Sequence, residues 1–257
     1  MIVQLENYDP TTAILTLNRP EKRNALSLEL IEAITSAVSD AAKDSCRRVL
    51  IIRAEGPSFC AGLDLKEAAQ PGGAEHSAEA LAKMFEAICD SPLVTIAAAQ
   101  GAAMGGGAGL VIACDLVIAS QNLQLGFPEV QRGLVAALVT TILRRQVRDR
   151  TAREMVLLGQ TTDARNALAM GLINRAVPES RMMQEAIGVA GEVCKGAPNA
   201  IVRSKRLLDD LAPRPMREEL QRALKYHLQQ RNSAEAKEGT AAFNEKRKPN
   251  WGRRNTT

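Results

Sequence analysis

The chain predicts an α/β fold whose last third turns helical, and three patterns carry that reading. Ala13–Leu17, Val49–Ala54 and Val94–Ala99 are almost unbroken apolar runs of strand length, as expected of strands buried on both faces. Helical segments with one apolar face alternate with them, the order of a parallel sheet crossed by helices. Past about Gly133 the strand-like runs fade and helical periodicity takes over. At 257 residues, 46% hydrophobic and 24% charged, the chain is one large globular domain or two small ones.

In chain order, Ala13–Leu17 is closed by Asn18-Arg19-Pro20, a turn signal. Ser27 is placed to cap a helix whose apolar stripe is Leu30, Ile31, Ile34, Ala37, Val38 and Ala41. Strand Val49–Ala54 follows. A polar loop at Gln70-Pro71-Gly72-Gly73 precedes a helix from about Ala78 to Cys89. Strand Val94–Ala99 then meets a glycine-rich turn, a short apolar helix and a strand at Asp115–Ala119. Helices are expected at Thr151–Leu158, Asp163–Met170, Glu179–Lys195, Asn199–Leu211, Met216–Gln230 and Ser233–Asn244, with Asp163 and Ser233 as N-caps. The division that follows is an α/β core over 1–195 and a helical C-terminal region over 196–257.

A net charge of +4 does not by itself indicate nucleic acid. Its basic excess includes Lys246, Arg247, Lys248, Arg253 and Arg254 in the tail, either a solvated terminus or a phosphate contact. Five cysteines, an odd number with no CxxC, point to free thiols in a reducing cytoplasm. No apolar run reaches the ~20 residues of a membrane span. The two histidines, His76 and His227, lack metal-ligand spacing, and no Gly-x-Ser-x-Gly accompanies them, so zinc and a serine triad are disfavoured and both read as surface residues.

Chemistry concentrates in three segments. Gly105-Gly106-Gly107 lies between an apolar strand and an apolar helix, so it offers unobstructed backbone N–H groups at a helix N-terminus. These suit an anion or an oxyanion formed during reaction; tight helix packing explains the glycines equally well. Pro57 to Lys66 follows the Val49 strand, with small residues at Ala61 and Gly62. Asp64 there is a candidate acid or a loop cap, and Cys60 a candidate nucleophile or a buried filler. The two glycine-lined turns could converge on one site. Leu125 to Val130 sets Glu129 among apolar residues, where a raised pKa would suit proton transfer, although a lone Glu there also reads as a cap or surface charge.

Together these segments resemble the crotonase, or enoyl-CoA hydratase/isomerase, family. The likeness extends through Asn18-Arg19-Pro20, Asn24-Ala25-Leu26, Phe59 to Lys66, Gly101 to Gly107, Cys114-Asp115, Phe127-Pro128-Glu129, Ala164 with Ala167, and Gly171 to Asn174. It implies a spiral of ββα units with a helical C-terminal subdomain, assembled as a homotrimer or homohexamer. It implies an acyl-CoA thioester substrate, so coenzyme A enters with the substrate and no metal or redox cofactor is needed. By motif position, Leu63 and Gly106 would supply oxyanion-hole N–H groups and Glu129 the catalytic carboxylate. Lys22, Arg23, Ala25, Ala61, Asp64, Leu65 and Lys66 would line the coenzyme A path, with the Ala61 carbonyl at the adenine amine. Lys246, in the tail, would reach a coenzyme A phosphate within its own subunit or across a subunit boundary.

One position departs from the resemblance. Typical hydratases of that family carry a second Glu two residues beyond the triple glycine, and here that position is Gly109. The expected reactions are therefore isomerisation of a 3-enoyl thioester or hydration of a 2-enoyl or branched, methylglutaconyl-type thioester. Decarboxylation or thioester hydrolysis at the same oxyanion hole is an alternative. A non-catalytic coenzyme A- or RNA-binding protein is another.

Overall fold

The structure, a computed structural model, describes residues 1–70, 72–212 and 214–251. Pro71, Arg253 and Arg254, singled out from sequence, lie outside these. The first elements are β1 (Val3–Asn7), β2 (Thr12–Leu17), α1 (Leu28–Lys43), β3 (Val49–Ala54), α2 (Leu65–Ala68) and α3 (Gly73–Cys89). Next come β4 (Val94–Ala99), β5 (Ala102–Met104), α4 (Gly106–Ala113), β6 (Leu116–Ser120) and β7 (Gln124–Gly126). A 3-10 turn at Pro128–Arg132 leads to α5 (Ala137–Gln146), α6 (Asp149–Leu158), β8 (Thr161–Asp163), α7 (Ala164–Met170) and β9 (Arg175–Val177). Four helices complete the chain: α8 (Glu179–Lys195), α9 (Pro198–Asp210), α10 (Met216–Arg231) and α11 (Ala234–Asn244).

Six strands form one sheet in the order β1-β2-β3-β4-β6-β9, with β1 antiparallel to β2 and the rest parallel. The apolar runs owe their continuity to burial on both faces. In β3, Val49 and Ile51 face α8 with its Met182, Ala186, Val189 and Ala190. Leu50 and Ile52 point the other way, into the main core with the α1 stripe, Phe85 of α3 and Leu110 of α4. A second sheet, β5-β7-β8, stands apart, with β5 parallel to β7.

The parallel topology brings carboxyl ends of neighbouring strands to one place. β2 runs into 18–27, β3 into 55–64, and β4 into β5 and the triple glycine. Open α/β sheets present their ligands at such ends.

Ser27, Asp163 and Ser233 cap as expected, their side chains accepting from Leu30 N, Asn166 N and Ala236 N. Four readings are corrected. Strands persist past Gly133, as β8 and β9. The helix ending at Cys89 begins at Gly73, one turn and more before Ala78. Helix α5 was not anticipated. His227 is half-buried in a cavity rather than on the surface, whereas His76 is exposed.

Candidate active site

The two glycine turns do converge. β5 runs beside Cys60, with Cys60 N donating to Ala102 O at 3.0 Å and Met104 N to Cys60 O at 3.0 Å. Gly62 sits at φ +91, and a Cβ there would stand 2.6 Å from the Met104 carbonyl oxygen and 3.8 Å from Gly106 N. Both the left-handed backbone and the close approach exclude a side chain. Leu63 follows Gly62, and Gly106 opens α4. Neither the Leu63 nor the Gly106 N–H has a hydrogen-bond acceptor among the described residues, so two donors are left beside each other at a helix N-terminus.

The loop after β2 is laced to this turn. Ala61 N donates to Arg23 O at 3.0 Å, Leu26 N to Gly62 O at 2.8 Å and Asp64 N to Leu26 O at 3.0 Å. Fully buried Asn24 donates through Nδ2 to Glu55 O and Ser58 O and accepts from Arg19 N at 2.8 Å. Asp64 caps α2, accepting from Glu67 N, and pairs with Arg19 Nη1 at 3.3 Å. Of its two sequence readings the structural one holds. Cys60 is fully buried and burial pushes its thiol up to about 12, so it is packing rather than a nucleophile.

Glu129 reaches the same place from the second sheet. Met104 pairs with Gly126 across β5 and β7, and Gly105 N donates to Gly126 O at 2.9 Å. Buried Phe127 and Pro128 then turn the chain so that Glu129 meets Gly105. A Cβ on Gly105 would lie 3.0 Å from Glu129 Oε1, so the glycine opens space for the carboxylate. Oε2 is out of water contact and has no hydrogen-bond partner. Burial pushes the Glu129 pKa up to about 7, against the smaller opposing pull of its own N–H and of the Arg132 charge.

These groups edge a cavity of about 910 Å³. Leu63, Gly106, Glu129, Lys22, Arg23, Ala25, Ala61, Asp64, Leu65 and Lys66 all line it; Lys246 does not. Sequence reasoning missed Arg132, His227 and Arg231, which also line it. The i, i+4 spacing of His227 and Arg231 marks one helix face, but gives no sign of which way that face turns.

Three acids line the cavity. Asp64 is engaged as described, and Glu67 Oε1 accepts from Leu28 N at 3.1 Å. Of the three, Glu129 alone has a carboxylate oxygen that is both out of water contact and without a partner. At Gly109 a Cβ would fall 2.6 Å from Val139 Cγ1 and 2.7 Å from Phe85 Cζ, so this glycine serves the packing of α4 against α3 and α5.

Fold and site together define a crotonase-fold protein: two converging glycine turns, two free N–H groups and a buried carboxylate. A sequence model of the enoyl-CoA hydratase/isomerase family matches residues 9–254, and the chain belongs to that family. A Thermus thermophilus protein, provisionally named an enoyl-CoA hydratase, is 37% identical over 93% of this chain and 96% of its own. A mevalonyl-coenzyme A hydratase from Aspergillus fumigatus is 35% identical over 94% of this chain and 92% of its own. Among solved structures, an enoyl-CoA hydratase from Mycobacterium avium superposes with a TM-score of 0.86 at 32% identity, covering 98% of this chain and 99% of that one.

Proposed function

We propose that this protein enolises an acyl-CoA thioester and shifts its double bond, converting a 3-enoyl to a 2-enoyl thioester. The observation that supports this most strongly is the Glu129 carboxylate, buried and unpartnered at Oε2, beside the free N–H groups of Leu63 and Gly106. The thioester oxygen accepts from both N–H groups. Glu129 takes a proton from the α carbon, and the electron pair moves toward the thioester oxygen as a dienolate. The same carboxyl group then returns the proton to the γ carbon, and the double bond closes between the α and β carbons. Each donor of such a hole typically contributes on the order of 10²–10³ in rate, and the acid–base group ~10²–10⁴.

Lys22, Arg23, Ala25, Ala61, Leu65 and Lys66 take the coenzyme A portion in this reading. Lys246 meets a phosphate from a neighbouring copy. Coenzyme A arrives as part of the substrate, and proton transfer uses groups of the chain itself. The chain assembles as a homotrimer or a pair of trimers. Its five free cysteines accord with a cytoplasmic setting.

A second reading is hydration of a 2-enoyl thioester, favoured by the hydratase names of the relatives. Glu129 then takes a proton from water as hydroxide adds to the β carbon, and gives that proton to the α carbon. Following the conjugated enoyl-thioester absorbance separates the two. Isomerisation faster than hydration supports the first reading; robust hydration without isomerisation replaces it with the second.

A further inference from the structure

Three cavity-lining side chains have no part in the enolisation just described: Arg132, His227 and Arg231. Arg132 lies in the same 3-10 turn as Glu129, three residues on. Its guanidinium is held over the Phe243 ring, 4.5 Å from the centroid, and forms no ion pair among the described residues. Arg231 sits one helical turn after His227 on α10. Its Nη1 and His227 Nε2 are both out of water contact and without a hydrogen-bond partner. Burial lowers the Arg231 pKa, and among the described residues no acidic side chain offsets that cost. Buried cations are ordinarily paired, and a buried unpartnered donor costs stability. Gln230, on the same helix as His227 and Arg231, donates to Gly133 O at 2.8 Å and so ties α10 to the end of the turn that carries Glu129 and Arg132, elements separate from the 19–25 and 61–66 segments that carry Lys22, Arg23 and Lys66.

From two guanidiniums without an ion pair and a partnerless imidazole Nε2 lining the same cavity as Glu129, we infer that the acyl group of the substrate ends in a carboxylate. The inference rests on the acyl-CoA reading above and names its substrate class. A planar carboxylate matches the guanidinium fork, and Arg132 and Arg231 supply donors from two separate elements. His227, held neutral by burial and the Arg231 charge with its pKa near 4, becomes a donor when the anion arrives. An all-apolar acyl chain would leave both guanidiniums without a partner.

The test is binding, which does not depend on turnover. Saturated thioesters are compared by calorimetry in pairs of equal length: glutaryl- against pentanoyl-CoA, adipyl- against hexanoyl-CoA, suberyl- against octanoyl-CoA. Free coenzyme A serves as a third ligand. The carboxylated member of at least one pair is expected to bind about tenfold or more tighter to the native protein. Arg231→Met and Arg132→Met should bring that ratio toward one while free coenzyme A binds as before, and Arg231→Lys should restore part of it. The imidazole NMR signal of His227, one of only two histidines, should titrate at higher pH with the carboxylated ligand bound; this readout uses the native protein and stands even if a variant fails to fold. Equal or weaker binding of every carboxylated member by the native protein overturns the inference. So does equal loss of free coenzyme A binding in the arginine variants, which would place the guanidiniums on the coenzyme A phosphates. If no thioester binds at all, the acyl-CoA reading itself fails.

Discussion

In the proposed reaction Glu129 carries the chemistry because its surroundings penalise its charge. Its pKa is raised from 4.5 to about 7, so its basic form accumulates only as pH rises through that range. The kcat/KM of the proton-abstraction step should therefore climb with pH to about 7 and level off above, and this limb should vanish in Glu129→Gln. That variant keeps the shape and loses the base. Its kcat should fall by about 10²–10⁴ while thioester affinity stays within a few-fold; a near-native rate would remove Glu129 from the mechanism. Stability moves the opposite way. Between 4.5 and about 7 the folded chain binds a proton that the unfolded chain has lost, so stability declines as pH rises through that window. At pH 8 the Gln variant should be more stable than the native protein by about 3 kcal/mol, and at pH 4 the gain should be absent. Denaturation at the two pH values checks the sign. The carboxylate was legible in sequence as an acid among apolar residues. Arg132, beside it in the same turn, was not, because a charged residue after a proline turn usually faces water.

Among the elements, those with a full period and marked ends were readable. Helix α8 spans Glu179–Lys195 as expected, opened by Pro178 and closed before Gly196. Strands β5, β7, β8 and β9, three residues each, are too short to show a period of two, and they exist because neighbours supply their hydrogen bonds. Helix α5 begins without a side-chain cap after Leu134-Val135-Ala136, so its start left no signal. Yet β5 and β7 set the distance between the glycine turn and Glu129. At this scale two outcomes follow. Gly106→Pro deletes one N–H of the proposed oxyanion hole at the first residue of α4, a position where proline is tolerated. The variant should fold, by circular dichroism, and lose at least 10²-fold in rate; a folded, fully active variant would move the oxyanion hole elsewhere. Gly109→Glu would put an acid at the position where typical hydratases of the family carry their second Glu. In the structure its Cβ meets Val139 and Phe85. It should cost about 1–3 kcal/mol through overpacking without raising hydration, and thermal denaturation with a hydration assay checks both.

On the scale of the whole molecule, the parallel sheet brings β2, β3 and β4 to the site, and the C-terminal helices close it from outside. α10 supplies His227 and Arg231, and α11 supplies Phe243. Helix α9 differs from both. It has no buried residue, and it leaves Leu207 and Leu208, with Leu211 just beyond, more than half exposed. Apolar helix faces of this kind ordinarily meet another surface, and under the proposed assembly a second copy covers this one. Leu208→Glu with Leu211→Glu should lower the sedimentation mass of the native assembly; an unchanged mass would put the contact on another face. The α/β class and the helical tail could be read from sequence because they follow from local periodicity. The cavity could not, since its cationic end is built from residues about a hundred positions apart.

In the proposed function, Glu129 and the Leu63–Gly106 N–H pair form an enolate from an acyl-CoA thioester. Exchange of the α protons of a saturated thioester in heavy water, followed by NMR, tests this whichever reaction the enolate feeds. Butyryl-CoA and glutaryl-CoA would be incubated with the native protein and with Glu129→Gln. The expected result is α-proton exchange well above the solvent rate with the native protein and its loss by at least 10²-fold in the variant. Exchange at the solvent rate for both thioesters, or equal exchange with and without the Glu129 carboxylate, would contradict it.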